Sequence, residues 1–168
     1  MHPVVVPVVV MGVSGSGKTT VGEALAAELG LRFVDADALH PHANVEKMAA
    51  GIPLTDDDRW PWLDAVGAVL ADGPVVVACS ALRRVYRDRL RAAAPELALV
   101  SLHGDPALLA ERMGHRPGHF MPASLLESQL ATLEPPAPDE HALSYDVASP
   151  VDDIVRDAAR RLREEPTR

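Results

Sequence analysis

The segment that most constrains this chain is Gly12-Val13-Ser14-Gly15-Ser16-Gly17-Lys18-Thr19, which fits the pattern GxxxxGK[ST] at every fixed position. It follows a Val-rich run, Val4 to Met11, and precedes a helical pattern in which Val21, Leu25 and Leu29 recur every fourth residue before Gly30. A strand, a glycine-rich turn and a helix in that order make a phosphate-binding loop. The glycines let the backbone turn its N–H groups inward around phosphate oxygens, and the helix start adds its positive end. Lys18 brings a cation to the β- and γ-phosphates, and the Thr19 hydroxyl suits Mg²⁺. Gly12, Ser14, Gly15, Ser16, Gly17, Lys18, Thr19 and Thr20 are therefore the expected nucleotide-binding residues.

A continuous apolar strand such as Val4 to Met11 belongs in a parallel sheet covered on both faces, and Pro7 confines the paired part to Val8 onward. Further strands are predicted at Leu31 to Val34, Val75 to Cys79, Leu97 to Leu102 and Tyr145 to Ala148. Between them fall helices at Ala43 to Ala50, from Thr55–Asp58 to about Ala71, at Leu82 to Ala92, Ala107 to Met113, Leu125 to Leu133 and Val151 to Leu162. Pro61 is expected in the first turn of its helix. The helix from Leu82 is expected to bury Leu82, Val85, Tyr86 and Leu90 and to turn Arg83, Arg84, Arg87 and Arg91 mostly outward. Alternating strands and helices give an α/β fold with a mostly parallel sheet. With 168 residues and 48% apolar content, one domain over 1–168 is the natural count.

Composition removes several classes. One cysteine makes no internal disulfide, so a reducing cytoplasm is expected. The longest apolar run is far short of the roughly 20 residues that span a bilayer, and no signal-peptide pattern accompanies it. A net charge of −8 disfavours a general nucleic-acid binder. That charge is uneven: residues 83–119 hold 7 basic and 4 acidic groups, a local excess that suggests an anion site. No Asn-Lys-x-Asp reads guanine, and Val75-Val76-Val77-Ala78-Cys79-Ser80 offers no metal-holding acid. What remains is transfer of a phosphoryl group to a small molecule. Phe33-Val34-Asp35-Ala36-Asp37 then supplies the carboxylates at the carboxyl edge of the sheet, on one side if the strand continues that far.

The phosphate loop together with Asp35-Ala36-Asp37-Ala38-Leu39-His40-Pro41, Asn44-Val45-Glu46-Lys47-Met48, Pro53-Leu54-Thr55-Asp56-Asp57-Asp58-Arg59, Cys79-Ser80-Ala81-Leu82-Arg83-Arg84, Tyr86-Arg87 and Gly118-His119-Phe120 closely resembles the bacterial gluconate kinases. The resemblance implies ATP-dependent phosphorylation of D-gluconate at its 6-hydroxyl. It also implies a five-stranded parallel sheet like that of the nucleoside monophosphate and shikimate kinases, a mobile lid at about 114–122, and a homodimer. Asp35 with Thr19 would serve Mg²⁺, and Asp37 the acceptor hydroxyl. A sugar acid needs cations and hydrogen-bonding groups, for which Arg59, Lys47, Arg83, His40 and His119 are candidates. Arg112 and Arg116 are implied as lid arginines on the adenine and the transferring phosphate, with Arg116 catalytic beside Lys18 and Asp37. Ser149 and Pro150 resemble the segment lining the adenine pocket. A kinase for shikimate or another small polyol acid is the alternative, and an ATP-binding switch docking an acidic partner through residues 83–91 is a more distant one. Cys79, Trp60 and Trp62 read as packing residues, and His42, His103 and His141 as surface or loop histidines.

Overall fold

A computed structural model describes residues 3–114 and 123–164, side chains excepted at 114 and 123–125. Five strands, β1 (Val8–Met11), β2 (Phe33–Asp35), β3 (Val76–Ala78), β4 (Ala98–His103) and β5 (Leu143–Asp146), form one parallel sheet in the order β2-β3-β1-β4-β5. The α-helices among the described residues are α1 (Lys18–Leu29), α2 (His42–Ala49), α3 (Asp56–Ala71), α4 (Arg84–Ala93), α5 (Pro106–Gly114), α6 (Ala123–Thr132) and α7 (Val151–Glu164).

Alternation along β1 explains why the sheet needs cover on both sides. Val8 and Val10 enter one core with Leu25, Leu109, Ile154 and Ala158; Val9 and Met11 enter the other with Trp62, Leu63, Tyr86 and Leu90. Helices α1, α5, α6 and α7 thus pack on one face, and α3 and α4 on the other. Because β1 lies between β3 and β4, the chain order switches direction at its carboxyl end, where open sheets of this kind leave a crevice. The glycine-rich loop emerges at that crevice.

Several expected boundaries move, each for a local reason. Strand β2 begins at Phe33, not Leu31, because the Leu31 N–H closes α1 onto Ala26 O at 2.9 Å around left-handed Gly30. Strand β5 ends at Asp146, not Ala148: the Asp146 carboxylate accepts from Ala148 N at 2.8 Å and turns the chain. Helix α4 starts at Arg84, not Leu82, since the Leu82 carbonyl accepts from Glu134 N and the Glu134 carboxylate in turn accepts from Arg84 N.

Thr55 and Asp58 form a reciprocal capping box, which fixes Asp56 as the first residue of α3. Pro61 therefore sits in the second turn, where its missing N–H leaves the Asp57 carbonyl without its helical donor. The face of α4 also differs from expectation. Val85 is 43% exposed, whereas Arg87 is 1% exposed and paired with the equally buried Glu140 at 2.7 Å. Tyr86, Arg87 and Leu90 share the inward stripe, so position on the helix decides and the carboxylate of Glu140 compensates the charge.

Candidate active site

The loop that leaves β1 is shaped by glycines in the left-handed region. Gly15 has φ 82° and Gly17 φ 86°, and a Cβ on Gly15 would lie 2.5 Å from the Leu109 carbonyl oxygen. The loop wraps so closely that Lys18 Nζ reaches back to Val13 O at 3.4 Å. Ser16 Oγ is buried with no hydrogen-bond partner among the described residues, an orphaned donor beside a positively polarised helix start. A cradle of this form fits polyphosphate.

Across from the loop, β2 ends at Asp35 and does not continue to Asp37, so strand alternation is not what relates the two acids. Asp35 divides its carboxylate: Oδ2 accepts from Thr19 Oγ1 at 3.0 Å, and Oδ1 from Asp37 N at 2.9 Å. The second bond caps a short 3-10 turn over Ala36–Leu39 that carries Asp37 to the loop. Asp35 is thus a helix-cap acid as well as a neighbour of Thr19. Hydroxyl and carboxylate oxygens side by side are the hard donors that suit Mg²⁺.

Asp37, Lys18, His40, Arg59 and Trp62 line one cleft beside the loop. Trp62 donates to Ala36 O at 2.7 Å and stacks on the His40 ring at 4.1 Å between centroids. His40 is held down to a pKa of about 4, because burial penalises its charged form and Arg59 adds to that, against the opposing pull of Asp37. Arg59 donates to the Tyr86 hydroxyl at 2.9 Å, and that hydroxyl donates to Asp56, whose other oxygen takes Arg83 at 3.0 Å. These contacts draw the Asp56 carboxyl below its ordinary value, the Tyr86 bond foremost.

Two residues expected to meet the substrate stand elsewhere. Lys47 is bound by both Asp58 oxygens, at 2.8 and 3.0 Å, and holds that carboxyl down to about 2; Arg83 is committed to Asp56. Neither lines the cleft. The basic stretch 83–91 is likewise internally neutralised, with Arg84 on Asp139, Arg87 and Arg91 on Glu140, and Arg89 on Asp64. Within 83–91 the positive excess is thus spent on ion pairs that build the fold around the site, whereas Arg112, from the same basic region, lines the cavity beside the phosphate loop.

Sequence reasoning missed Ser80 and Leu82 behind β3, Met48 on α2, Pro53 and Leu54 before α3, and Ser128 and Gln129 on α6, all of which line the cleft. Gln129 Oε1 accepts from Ser14 N at 2.8 Å, tying α6 to the phosphate loop. A lone glutamine in a helix carries no sequence signal for such a contact. Ser80, Met48, Pro53 and Leu54 lay inside the characteristic runs but had no assigned role.

On the far side of the loop, Gly15, Ser16, Gly17 and Thr20 share a cavity of about 520 Å³ with Arg112, Ser149 and Pro150. Leu108, Val147 and Ile154 give it an apolar wall. The structure thus brings the expected nucleotide residues together around one loop. Cys79 is buried and its thiol pushed up to about 12 by that burial, so it packs rather than reacts. His42, His103 and His141 are exposed. Arg116, His119 and most of the lid range lie outside the described residues.

A parallel sheet of this order, a phosphate loop at its switch point and a separate polar cleft facing Lys18 define a P-loop kinase acting on a small molecule. A family profile described as an AAA domain matches residues 8–136. A gluconokinase of Gluconobacter oxydans is 48% identical over 162 residues, covering 94% of this chain and 91% of that protein. The crystal structure of a gluconokinase from Sinorhizobium meliloti superposes with a TM-score of 0.89 at 57% identity, covering 98% of this chain and 96% of the other. A shikimate kinase from Bacteroides thetaiotaomicron shares the fold, with a TM-score of 0.69 at 18% identity over 94% and 98% of the two chains. The chain belongs to the gluconokinase family.

Proposed function

We propose that the protein transfers the γ-phosphoryl group of ATP to the 6-hydroxyl of D-gluconate, giving 6-phosphogluconate and ADP. The observation that carries this reading is the convergence of Lys18, Asp37, His40 and Arg59 on one cleft beside the phosphate loop. The Sinorhizobium and Gluconobacter relatives, both gluconokinases, support the choice of acceptor.

In this proposal the loop N–H groups and Lys18 hold the β- and γ-phosphates, while Thr20, Arg112, Ser149 and Pro150 flank the adenosine side. Thr19 and Asp35 are the residues that would hold Mg²⁺, which when bound offsets phosphate charge. Asp37 accepts a hydrogen bond from the attacking hydroxyl, orients it, and takes its proton as the new P–O bond forms and the β–γ bridge breaks. Because the transition state is loose, orientation contributes more than basicity. Arg59, whose side chain is only 14% exposed, offers its planar guanidinium to the gluconate carboxylate, and His40 contacts a sugar oxygen. Lys47 and Arg83 act through Asp58 and Asp56, setting the start of α3 and hence Arg59. A lid at about 114–122, carrying Arg116 and His119, would close over the transferred group and limit ATP hydrolysis. The whole chain then works as one catalytic domain, in the cytoplasm and as a homodimer. Among the described residues no helix is long and apolar enough to cross a membrane.

A panel of sugar and polyol acids with coupled ADP detection tests the proposal. Gluconate should stimulate ADP release strongly and shikimate should not. Equal ADP release with and without gluconate would overturn it.

A further inference from the structure

His40 reaches the cleft with one of its two ring nitrogens already spoken for. Asn44, 3% exposed on α2, places its amide nitrogen 2.9 Å from the Asp58 carbonyl oxygen and 3.2 Å from His40 Nδ1. The Asp58 carbonyl only accepts, so the amide must turn its NH₂ group, not its oxygen, to this corner. An amide nitrogen has two hydrogens and no acceptor capacity. One hydrogen goes to Asp58 O, and the other faces Nδ1, which must therefore present its lone pair.

We propose that Asn44 is a positioning residue that fixes His40 as the Nε2–H tautomer, making it an obligate donor to an oxygen of the bound sugar acid. A 180° turn of the ring would keep its stack on Trp62 but set a carbon opposite the amide in place of Nδ1, so the Asn44 contact selects this orientation and the stack holds the plane. Asp58 is itself pinned by the capping box and by Lys47, so the Asn44 amide has a rigid second anchor. Of the charged groups nearby, Asp37 favours an imidazolium while Arg59 and burial oppose it, with burial the largest influence. A donor-only histidine beside Asp37, which accepts, gives the cleft one group of each kind for a polyhydroxy substrate.

The substrate half of this inference rests on the gluconate reading; the proton position does not. Long-range ¹H–¹⁵N spectra of histidine-labelled protein without ligands, with His40→Ala used to assign the ring, should place the His40 proton on Nε2 and the lone pair on Nδ1. Asn44→Asp, whose carboxylate accepts from Nδ1–H, should put a proton on Nδ1 and, at pH values where the ring stays neutral, take it from Nε2 and raise the gluconate KM about tenfold while leaving the ATP KM unchanged. His40→Ala should raise the gluconate KM by a similar factor, and His40→Gln, which keeps an N–H near the Nε2 position, should recover part of the loss. A wild-type proton on Nδ1 overturns the inference even if the enzyme turns over gluconate, and needs no variant to fold. Unchanged gluconate KM in both His40 variants overturns the donor role. An Nε2–H ring in a protein inert toward gluconate would instead overturn the proposed function and leave the tautomer assignment standing.

Discussion

The phosphate loop is a single continuous segment, Gly12 to Thr20, that offers main-chain N–H groups, one lysine and four hydroxyls. The acceptor cleft is built differently. Its wall comes from the loop's Ser14 and Lys18 and from residues 37–62, 80–82 and 128–129, and its ring and guanidinium are held by other side chains: His40 by Asn44 and Trp62, and Arg59 by Tyr86, which Asp56 holds in turn. A backbone cradle depends on few side chains, so most substitutions around it should be mild and one or two severe. A networked cleft should instead transmit damage from residues that never touch a ligand.

Lys18 is the expected severe exception on the cradle side, because it is the one cation that the loop itself carries. Lys18→Met should lower kcat by about 10³-fold while the protein keeps its thermal stability. Steady-state kinetics beside a melting curve check both. A loss below about tenfold would mean that the loop's N–H groups suffice, and the contrast between the two regions would collapse.

Glu140 is the counterpart, remote from any ligand yet structurally expensive to remove. It pairs with Arg87 and Arg91 and accepts from Ala137 N at 2.8 Å, and Arg87 in turn donates to the Ala81 carbonyl at 3.0 Å, next to Ser80 in the cleft. Glu140→Ala strands the Arg87 charge in the core and should cost about 3–5 kcal/mol of stability, read from denaturant unfolding. Burial raises the Glu140 pKa, but the two arginines and the N–H outweigh it and bring the carboxyl down to about 2 from the ordinary 4.5. A depressed folded-state pKa contributes stability that is full above pH 4.5 and lost as pH falls toward 2. The wild type should therefore lose stability across that window more steeply than Glu140→Gln.

How much of this was legible in the sequence follows the same division. The phosphate loop, its strand and its helix could be read because their residues are adjacent and their spacing is dictated by local backbone geometry. The sheet followed from β-branched runs between helical patterns, and the acids Asp35 and Asp37 from their place at a strand end. The orientation of Arg87 was not legible, since its burial depends on Glu140, 53 residues away, and residue type alone suggests solvent. Nor were the commitments of Lys47 and Arg83, which look like free cations until the fold brings Asp58 and Asp56 to them. Gln129 lay beyond sequence reasoning for the same reason, being 115 residues from the loop nitrogen it binds.

Asp37 tests whether the cleft works by placement. Asp37→Asn keeps the shape and the 3-10 turn, whose cap comes from Asp35, but removes the acceptor that can also take the proton. Loss of kcat should be about 10²-fold, with ATP affinity by calorimetry unchanged. A simultaneous drop in ATP affinity would show that the two regions are not separable at this residue.

Arg112 should give the smallest effect and the sharpest comparison. It lines the cavity proposed for the adenosine side, together with Gly15, Ser16, Gly17 and Thr20 of the loop, Ser149, Pro150 and the apolar Leu108, Val147 and Ile154. A guanidinium against a flat aromatic ligand adds about 1 kcal/mol at a partly exposed site. Arg112→Ala should therefore raise the KM for ATP about fivefold and leave the KM for gluconate within about twofold. If the cradle holds the nucleotide mainly through its backbone, as proposed, the remaining binding should survive the loss of this side chain. If the gluconate KM rose by the same factor, the end of α5 would have to contribute to the acceptor cleft as well, and the cavity and the cleft would be parts of one ligand site instead of two with different construction.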